Sequence, residues 1–140
     1  MRLRRAHNSN ELYAPPLVEV FWKNGEILWV ALDQATHGRA MGVEFFSVKA
    51  TMPMGPAELV IKTGAAMLPM YIKRNGWMDH TIVVKEPLNV QLTLDEQKDV
   101  YNVLKKINEE LEEIILENPE EWWWVHKRWK HANKYVSENN

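Results

Sequence analysis

A long amphipathic segment in the last third of the chain restricts the fold most strongly. It opens with Thr93-Leu94-Asp95-Glu96, a capping box in which the Thr93 hydroxyl and the Glu96 carboxylate each satisfy a free backbone N–H. Asn118-Pro119 ends the segment. Between these signals one face is apolar at helical spacing, with lysines and glutamates opposite: Val100, Val103, Leu104, Ile107, Leu111, Ile114 and Ile115. Such a helix belongs to a layered domain.

The strands of that domain are predicted from four apolar stretches before the helix. Ile27–Leu32 is a continuous apolar run, typical of a strand buried on both faces of a parallel or mixed sheet. Val43–Ser47 predicts a second strand, and Ala66–Ile72 a third. His80–Lys85 alternates, which predicts a fourth strand that forms a hairpin with the third. The segment Leu17–Lys23 is compatible with either helix or strand.

Helix signals separate and follow these strands. Pro56 suits the first turn of a helix running to about Thr63, and Gly64 suits the left-handed position that ends it. The predicted fold class is therefore α/β, a mixed sheet flanked by helices. Residues 1–16 form a lead-in, and residues 17–140 form a single domain that ends in a basic, tryptophan-rich helix over residues 119–135.

Composition removes several classes of protein. The chain has 140 residues and no cysteine, which excludes disulfide scaffolds, thiolate zinc fingers, iron–sulfur clusters and cysteine nucleophiles. A net charge of −2 argues against a protein that coats nucleic acid, so no nucleic-acid partner is expected. The histidine spacing predicts no metal site. No apolar run approaches the length of a membrane span.

The C-terminal segment has the most unusual composition. Four of the seven tryptophans fall within eight positions: Trp122, Trp123, Trp124 and Trp129. Ten acids against three bases lie between Asp95 and Glu121, whereas the residues from Trp122 onward carry four bases and one acid. Three interpretations remain open. The indoles pack onto the sheet, or they contact lipid headgroups, or they stack on nucleic-acid bases beside cations that meet phosphates.

Two other places are candidates for chemistry. Asp33 directly follows a predicted buried strand, where α/β sheets place their ligand crevices, but an Asp there also commonly caps a turn. Gly55 and Pro56 enter a helix N-terminus that can receive an anion, or they simply begin a helix.

The same segments resemble a known family, the lauroyl/myristoyl acyltransferases of lipid A biosynthesis. The C-terminal run PEEWWWVHKRWK resembles the family's P-E-x-W-x-W-x-H-[RK]-R-[WF]-K. Upstream, TMPMGPAELVIKTGAAMLPMYIKR resembles a T-P-x-G-P-A block that ends in Arg. Further back, NGEILWVALDQATHGRAMGVEFF resembles a segment with Asp-Gln followed by a strand ending in Phe-Phe, although Ser47 stands where the family more often has Gly. The likeness covers residues 8–131 in order and spacing.

The resemblance implies acyl transfer from an acyl carrier protein thioester, the co-substrate in place of a bound cofactor, to a hydroxyl of a lipid A precursor. It implies a peripheral location at the cytoplasmic face of the bacterial inner membrane and contact with an anionic membrane surface. By position, Asp33 matches an Asp that supports the active site. The matching substrate-binding residues are Gly55, Pro56, Arg74, His126, Arg128 and Lys130. The expected membrane contacts are Trp122, Trp123 and Trp129.

One departure from the family concerns the catalytic base. The family uses a His with an acid five positions on, and none of the five histidines here has one. The chain is therefore expected to resemble the C-terminal half of such an enzyme, to lack its N-terminal anchor and catalytic base, and to be inactive alone. The alternative is a non-catalytic module that binds a membrane surface or a partner.

Overall fold

Six strands pair two by two in the computed structural model of the chain, which describes residues 3–5, 25, 27–36, 38–93 and 95–131. The mixed α/β class predicted from the sequence is confirmed. The strands and their pairings are β1 (Leu3–Arg5) parallel to β2 (Ile27–Trp29), β3 (Ala40–Phe45) antiparallel to β4 (Val48–Pro53), and β5 (Met70–Gly76) antiparallel to β6 (Asp79–Val84). The helices are α1 (Gly55–Thr63), α2 (Glu96–Glu117) and a 3-10 helix (Pro119–Glu121).

The first sheet is shorter and more open than predicted. The strand expected over Ile27–Leu32 pairs with β1 across three residues and then leaves the sheet toward Asp33. Ile27 and Trp29 are exposed, so burial on both faces is wrong for this strand. Its partner β1 lies within the predicted lead-in. The segment Leu17–Lys23 falls outside the described residues.

A tight hairpin replaces the single strand predicted over Val43–Ser47. Phe46 and Ser47 have φ values of 49° and 62°, which gives a turn with both central residues in the left-handed region. The usual sequence signal for such a turn is Asn-Gly, and the pair Phe46-Ser47 does not carry that signal. A tertiary contact stabilises the turn, because the Phe46 N–H donates to the Glu112 carboxylate at 2.8 Å.

The signals at α1 are confirmed, whereas the strand predicted after it begins late. Pro56 lies in the first turn of α1, and Gly64 ends the helix at φ 66°, with its N–H donating to Val60 O at 2.8 Å. Residues 64–69 form no strand. Pro69 cannot donate to a ladder, and β5 begins directly after it. The predicted hairpin with β6 is confirmed.

The core lies where α2 packs on the β3–β4 hairpin and α1. The predicted apolar face of α2 is confirmed at its most buried positions, Val100, Val103 and Leu104, with Ile115 in a second cluster. Their partners in the two clusters are Val43, Met52, Ala57, Phe45 and Ala50. Buried Asn108 donates to Glu44 O at 2.8 Å, which links α2 to β3.

The cap of α2 is Asp95, so the predicted Thr93–Glu96 capping box is wrong. An Asp95 carboxylate oxygen accepts from the N–H groups of Gln97 and Lys98, both at 3.1 Å. Thr93 instead binds buried Asp99, through its N–H at 2.7 Å and its hydroxyl at 2.8 Å. Asp and Thr are both good caps, and sequence spacing alone does not choose between them.

Asp95→Ala is expected to lower the free energy of unfolding by about 1 kcal/mol, because two N–H groups at the start of α2 lose their acceptor. Urea unfolding followed by circular dichroism measures the change. Asp95→Asn is the matched control and retains most of the stability, since Asn caps as well as Asp. Equal stability of Asp95→Ala and the parent chain contradicts the assignment of the cap.

The helix predicted over residues 119–135 is wrong through residue 131, and residues 132–135 lie outside the described part. After the 3-10 helix, Trp122 is extended with ψ 136°, and turns follow. Backbone N–H groups here donate two or three residues back, as from Trp124 to Trp122 O at 2.9 Å and from His126 to Trp123 O at 3.1 Å. Along these turns Arg128 is buried and Trp122, His126 and Trp129 are half-buried, while Trp123 to Val125 are exposed.

No helix among the described residues combines the length and apolar character needed to cross a bilayer.

Candidate functional site

Asp33 lies in the loop between β2 and β3, half-buried, at the point where the chain leaves the first sheet. Two contacts hold this loop. The Thr36 carbonyl accepts from the hydroxyl of buried Thr51 at 3.5 Å, and the Ala35 N–H donates to His126 Nε2 at 2.8 Å. The second contact joins positions 91 residues apart and closes the C-terminal segment onto the loop.

His126 therefore links the C-terminal segment to the Asp33 loop. Its Nε2 accepts the hydrogen bond from the Ala35 N–H. Two residues on, Arg128 follows the same turn inward. His126 helps to place the Asp33 loop, and its role in binding substrate stays a prediction.

Arg128 is buried, with 1% of its surface exposed. Its Nη1 donates to the Thr51 carbonyl at 2.6 Å, and its guanidinium lies 5.1 Å from the centre of the Phe45 ring. Among the described residues, Nε and Nη2 have no hydrogen-bond partner. Burial lowers the pKa of Arg128 to about 10, and the charge of Asp33 opposes that shift. Arg128 is thus enclosed by the chain, and the headgroup contact expected from the sequence stays a prediction.

Phe45 is the platform on which the C-terminal segment packs. It is fully buried, and its ring lies 5.5 Å from that of Trp129 and 6.2 Å from that of Trp122. The Trp129 indole N–H also donates to the Phe45 carbonyl at 3.2 Å. Phe45 closes the apolar strand β3, and its role in the site was not predicted. Its position in the Phe-Phe pair was the available signal.

Two of the three predicted membrane contacts pack on Phe45, and contact of all three with a membrane stays a prediction. Trp122 and Trp129 are half-buried against the cluster of Phe45, Ala50 and Ile115. Trp123 is 70% exposed and stays a predicted membrane contact. Trp124, which was not singled out, is also exposed, with its indole N–H donating to Pro119 O at 2.6 Å.

Gly55 and Pro56 are buried at the start of α1 and offer no open surface to a substrate. The same turn of helix carries Glu58, a buried carboxylate paired with Arg39 Nη2 at 2.7 Å. Arg39 follows the Asp33 loop, and its carbonyl accepts from Met54 N–H at 3.4 Å. The Gly-Pro corner therefore positions α1 against the segment that leads from Asp33 into β3.

The two exposed predicted cations lie on different elements. Arg74 is on β5, where its backbone N–H donates to both carboxylate oxygens of Glu121 at 3.3 Å. Its guanidinium Nε is 4.0 Å from Glu121 Oε1, and more than half of the side chain is exposed. Lys130 is exposed on the C-terminal segment. The structure thus brings together Asp33, His126 and Arg128, and leaves Arg74 and Lys130 at the surface.

A groove of about 500 Å³ between the end of β6 and α2 contains none of these residues. It is lined by Lys85 and Glu110, among others, and Lys85 Nζ also lies 3.1 Å from Glu113. The hydrogen bond to Glu110 raises the pKa of Lys85. This network joins the hairpin to α2. Among the described residues, no three His, Asp or Glu side chains are grouped to hold a metal ion.

Comparison with known proteins follows the same segments. The sequence model of the family described as bacterial lipid A biosynthesis acyltransferase matches residues 14–131. Proteins named phosphatidylinositol mannoside acyltransferase from two strains of Mycobacterium tuberculosis, CDC 1551 / Oshkosh and H37Rv, are each 24% identical over 110 residues. These alignments cover 76% of this chain and 32% of each relative. The chain thus spans about a third of the length of these curated relatives.

Proposed function

The chain belongs to the bacterial lipid A biosynthesis acyltransferase family, and we propose that it forms part of an enzyme that transfers a fatty acyl group to a lipid A precursor. The donor is an acyl carrier protein thioester, and the acceptor is a hydroxyl on the glycolipid. The observation that carries the proposal is the closure of the C-terminal segment onto the Asp33 loop, through His126 and Arg128. Three segments that resemble the family thereby meet at one cluster.

In this proposal the cluster of Asp33, His126 and Arg128 positions the active site, and the exposed cations bind the acceptor lipid. Asp33 supports the active site while Arg128 and His126 fix its loop. Arg74 and Lys130 are the cations that reach solvent, and they meet the phosphates of the acceptor lipid. Trp123 contacts the anionic membrane surface, and the enzyme works peripherally at the cytoplasmic face of the inner membrane.

The reaction needs a general base that the 140 residues do not supply by the family's pattern. In acyl transfer the base takes the proton of the acceptor hydroxyl, and the oxygen attacks the thioester carbonyl. The ester bond forms, the carbon–sulfur bond breaks, and the carrier thiol leaves with the proton. No histidine in the sequence precedes an acid by five positions. We therefore place the base outside these residues.

The test measures acceptor binding and acyl transfer separately with the chain as it exists. Binding of a diglucosamine bisphosphate lipid in detergent micelles is expected to weaken at least fivefold in Arg74→Ala/Lys130→Ala. Lys105→Ala, an exposed cation on α2, is the matched control and leaves binding unchanged. With radiolabelled lauroyl or myristoyl carrier thioester, transfer is expected to stay at the level without protein.

Two results contradict the proposal at different points. Failure to bind the acceptor overturns the acyltransferase role. Transfer by the chain alone at the rate of a complete enzyme overturns the placement of the base outside it.

A non-catalytic module at a membrane surface is the second candidate, favoured by the exposure of Trp123 and Trp124. Vesicle binding without any acceptor binding in the same experiment selects it.

A further inference from the structure

The hairpin of β5 and β6 has one covered face and one open face. On the covered face the Tyr71 hydroxyl lies 3.5 Å from Glu117 of α2, and Val83, its cross-strand partner, is half-buried. Lys85 continues that face and pairs with Glu110 and Glu113 of α2. Side chains alternate along a strand, so the neighbouring positions point away from α2.

Those positions are apolar and exposed. They form two cross-strand pairs, Met70 with Val84 and Ile72 with Ile82. Ile72 is 62% exposed and Ile82 is 65% exposed. Single exposed apolar side chains are ordinary, but two adjacent pairs on one face of a hairpin form a patch that marks an interaction surface.

The tip of the hairpin extends the patch with an indole and a thioether. Trp77 and Met78 form the turn and are 92% and 85% exposed. Met78 has φ 58°, a left-handed conformation that a residue without Gly's freedom adopts at a cost. The hairpin surface is hereafter the set Met70, Ile72, Trp77, Met78, Ile82 and Val84.

The charges beside the hairpin surface fit an anionic lipid layer. Arg74 and His80 form the next pair on the same face, between the aliphatic pairs and the tip. Lys73 is an exposed cation on the same strand, and Asp79 is the acid at the turn. The indole at the tip suits the bilayer interface, and the cations of the neighbouring pair suit the anionic headgroups.

We propose that the hairpin surface docks on an anionic lipid bilayer, with Trp77 and Met78 entering the interface and Arg74 and His80 meeting the headgroups. The contact rests on the proposed function only for the presence of a membrane. It assigns to β5 and β6 a membrane contact that was predicted for the C-terminal segment. Glu121 caps the free edge of β5 at Arg74 and so keeps that edge from pairing with another strand.

Cosedimentation with vesicles tests the proposal without acyl donor or acceptor, so it stands or falls independently of transferase activity. The chain is expected to bind vesicles of phosphatidylglycerol and phosphatidylethanolamine, and to bind pure phosphatidylcholine at least fivefold more weakly. Trp77→Ser/Ile82→Ser is expected to weaken binding at least tenfold. The matched control, Val48→Ser/Leu92→Ser, changes two exposed apolar residues elsewhere and leaves binding within twofold.

Three outcomes overturn the docking surface. Equal losses in both double variants show that any exposed apolar group contributes. Unchanged binding in Trp77→Ser/Ile82→Ser places the contact elsewhere, for example at Trp123. A parent chain that ignores vesicles but self-associates, and becomes monomeric in Trp77→Ser/Ile82→Ser, assigns the surface to a second copy.

Circular dichroism and urea midpoints of both variants are compared with those of the parent chain. The substituted side chains are exposed, so the midpoints are expected to agree. If Trp77→Ser/Ile82→Ser loses vesicle binding and also has a lower urea midpoint than the parent chain, Trp77→Ser alone is tested in its place. Unchanged binding in that single variant also overturns the proposal.

Discussion

Phe45→Ala is expected to lower the free energy of unfolding by about 3–5 kcal/mol. The ring is fully buried, and the cost has two parts: lost transfer of the ring from water and a cavity among neighbours that cannot collapse. Those neighbours come from distant parts of the chain, because Trp122 and Trp129 are in the C-terminal segment and Ile115 is on α2. A loss of this size is a large fraction of the stability of a domain of 140 residues.

Urea unfolding measured by tryptophan fluorescence and by circular dichroism tests this expectation. Fluorescence reports the seven tryptophans together, of which Trp122 and Trp129 lie against Phe45, and circular dichroism reports helix, most of which is α2. The matched control is Val48→Ala on the same hairpin, an exposed position expected to change stability by under about 0.5 kcal/mol. If Phe45→Ala costs no more than Val48→Ala, the C-terminal segment does not pack on Phe45 in solution.

How far the fold follows from the sequence depends on the range of each signal. Local signals predicted α1 and α2 correctly. Spacing determines the apolar face of α2, and backbone conformation determines Pro56 at the start of α1 and Gly64 at its end. The turn at Phe46-Ser47 was missed because its conformation is imposed by tertiary contacts, including the Glu112 carboxylate. The extent of β2 was overestimated because an apolar run shows what can be buried, not how many residues find a partner.

The candidate site shows the same division. The family resemblance singled out Asp33, His126 and Arg128, and the structure brings these residues together. Their contacts could not be predicted, because Arg128 reads as a solvated cation until Thr51 and Phe45 are known to surround it. A helix over residues 119–135 places Trp122 and Trp129 on one face, and the observed turns bury both by a different route.

Asp33→Asn is expected to destabilise the chain by about 2–3 kcal/mol, although Asp33 itself is only half-buried. The cost arises at Arg128, whose guanidinium is charged and buried, and whose Nε and Nη2 find no hydrogen-bond partner in the part of the chain that the structure describes. The carboxylate of Asp33 opposes the desolvation of that charge. The same substitution in Arg128→Met is expected to cost under about 1 kcal/mol, because no buried charge remains to be compensated.

The pH dependence of the free energy of unfolding also tests the interaction between Asp33 and Arg128. The lowered pKa of Arg128 determines the direction of that dependence. That pKa is about 10 in the folded chain, below the ordinary value of an arginine, so above about pH 10 the unfolded chain holds the proton more firmly. Stability of the parent relative to Arg128→Met therefore rises with pH in this range, and comparison of the two cancels the lysines and tyrosines that also titrate. In Asp33→Asn the rise in stability begins at lower pH, since the carboxylate that opposed the lowering of the Arg128 pKa is gone.

Urea unfolding at pH 7, 9 and 10.5 measures the cost of Asp33→Asn and the pH dependence. The four proteins compared are the parent, Asp33→Asn, Arg128→Met and the double variant. Equal costs of Asp33→Asn in the two backgrounds, with parallel pH profiles, show that Arg128 does not act on Asp33 and that His126 alone joins the C-terminal segment to its loop.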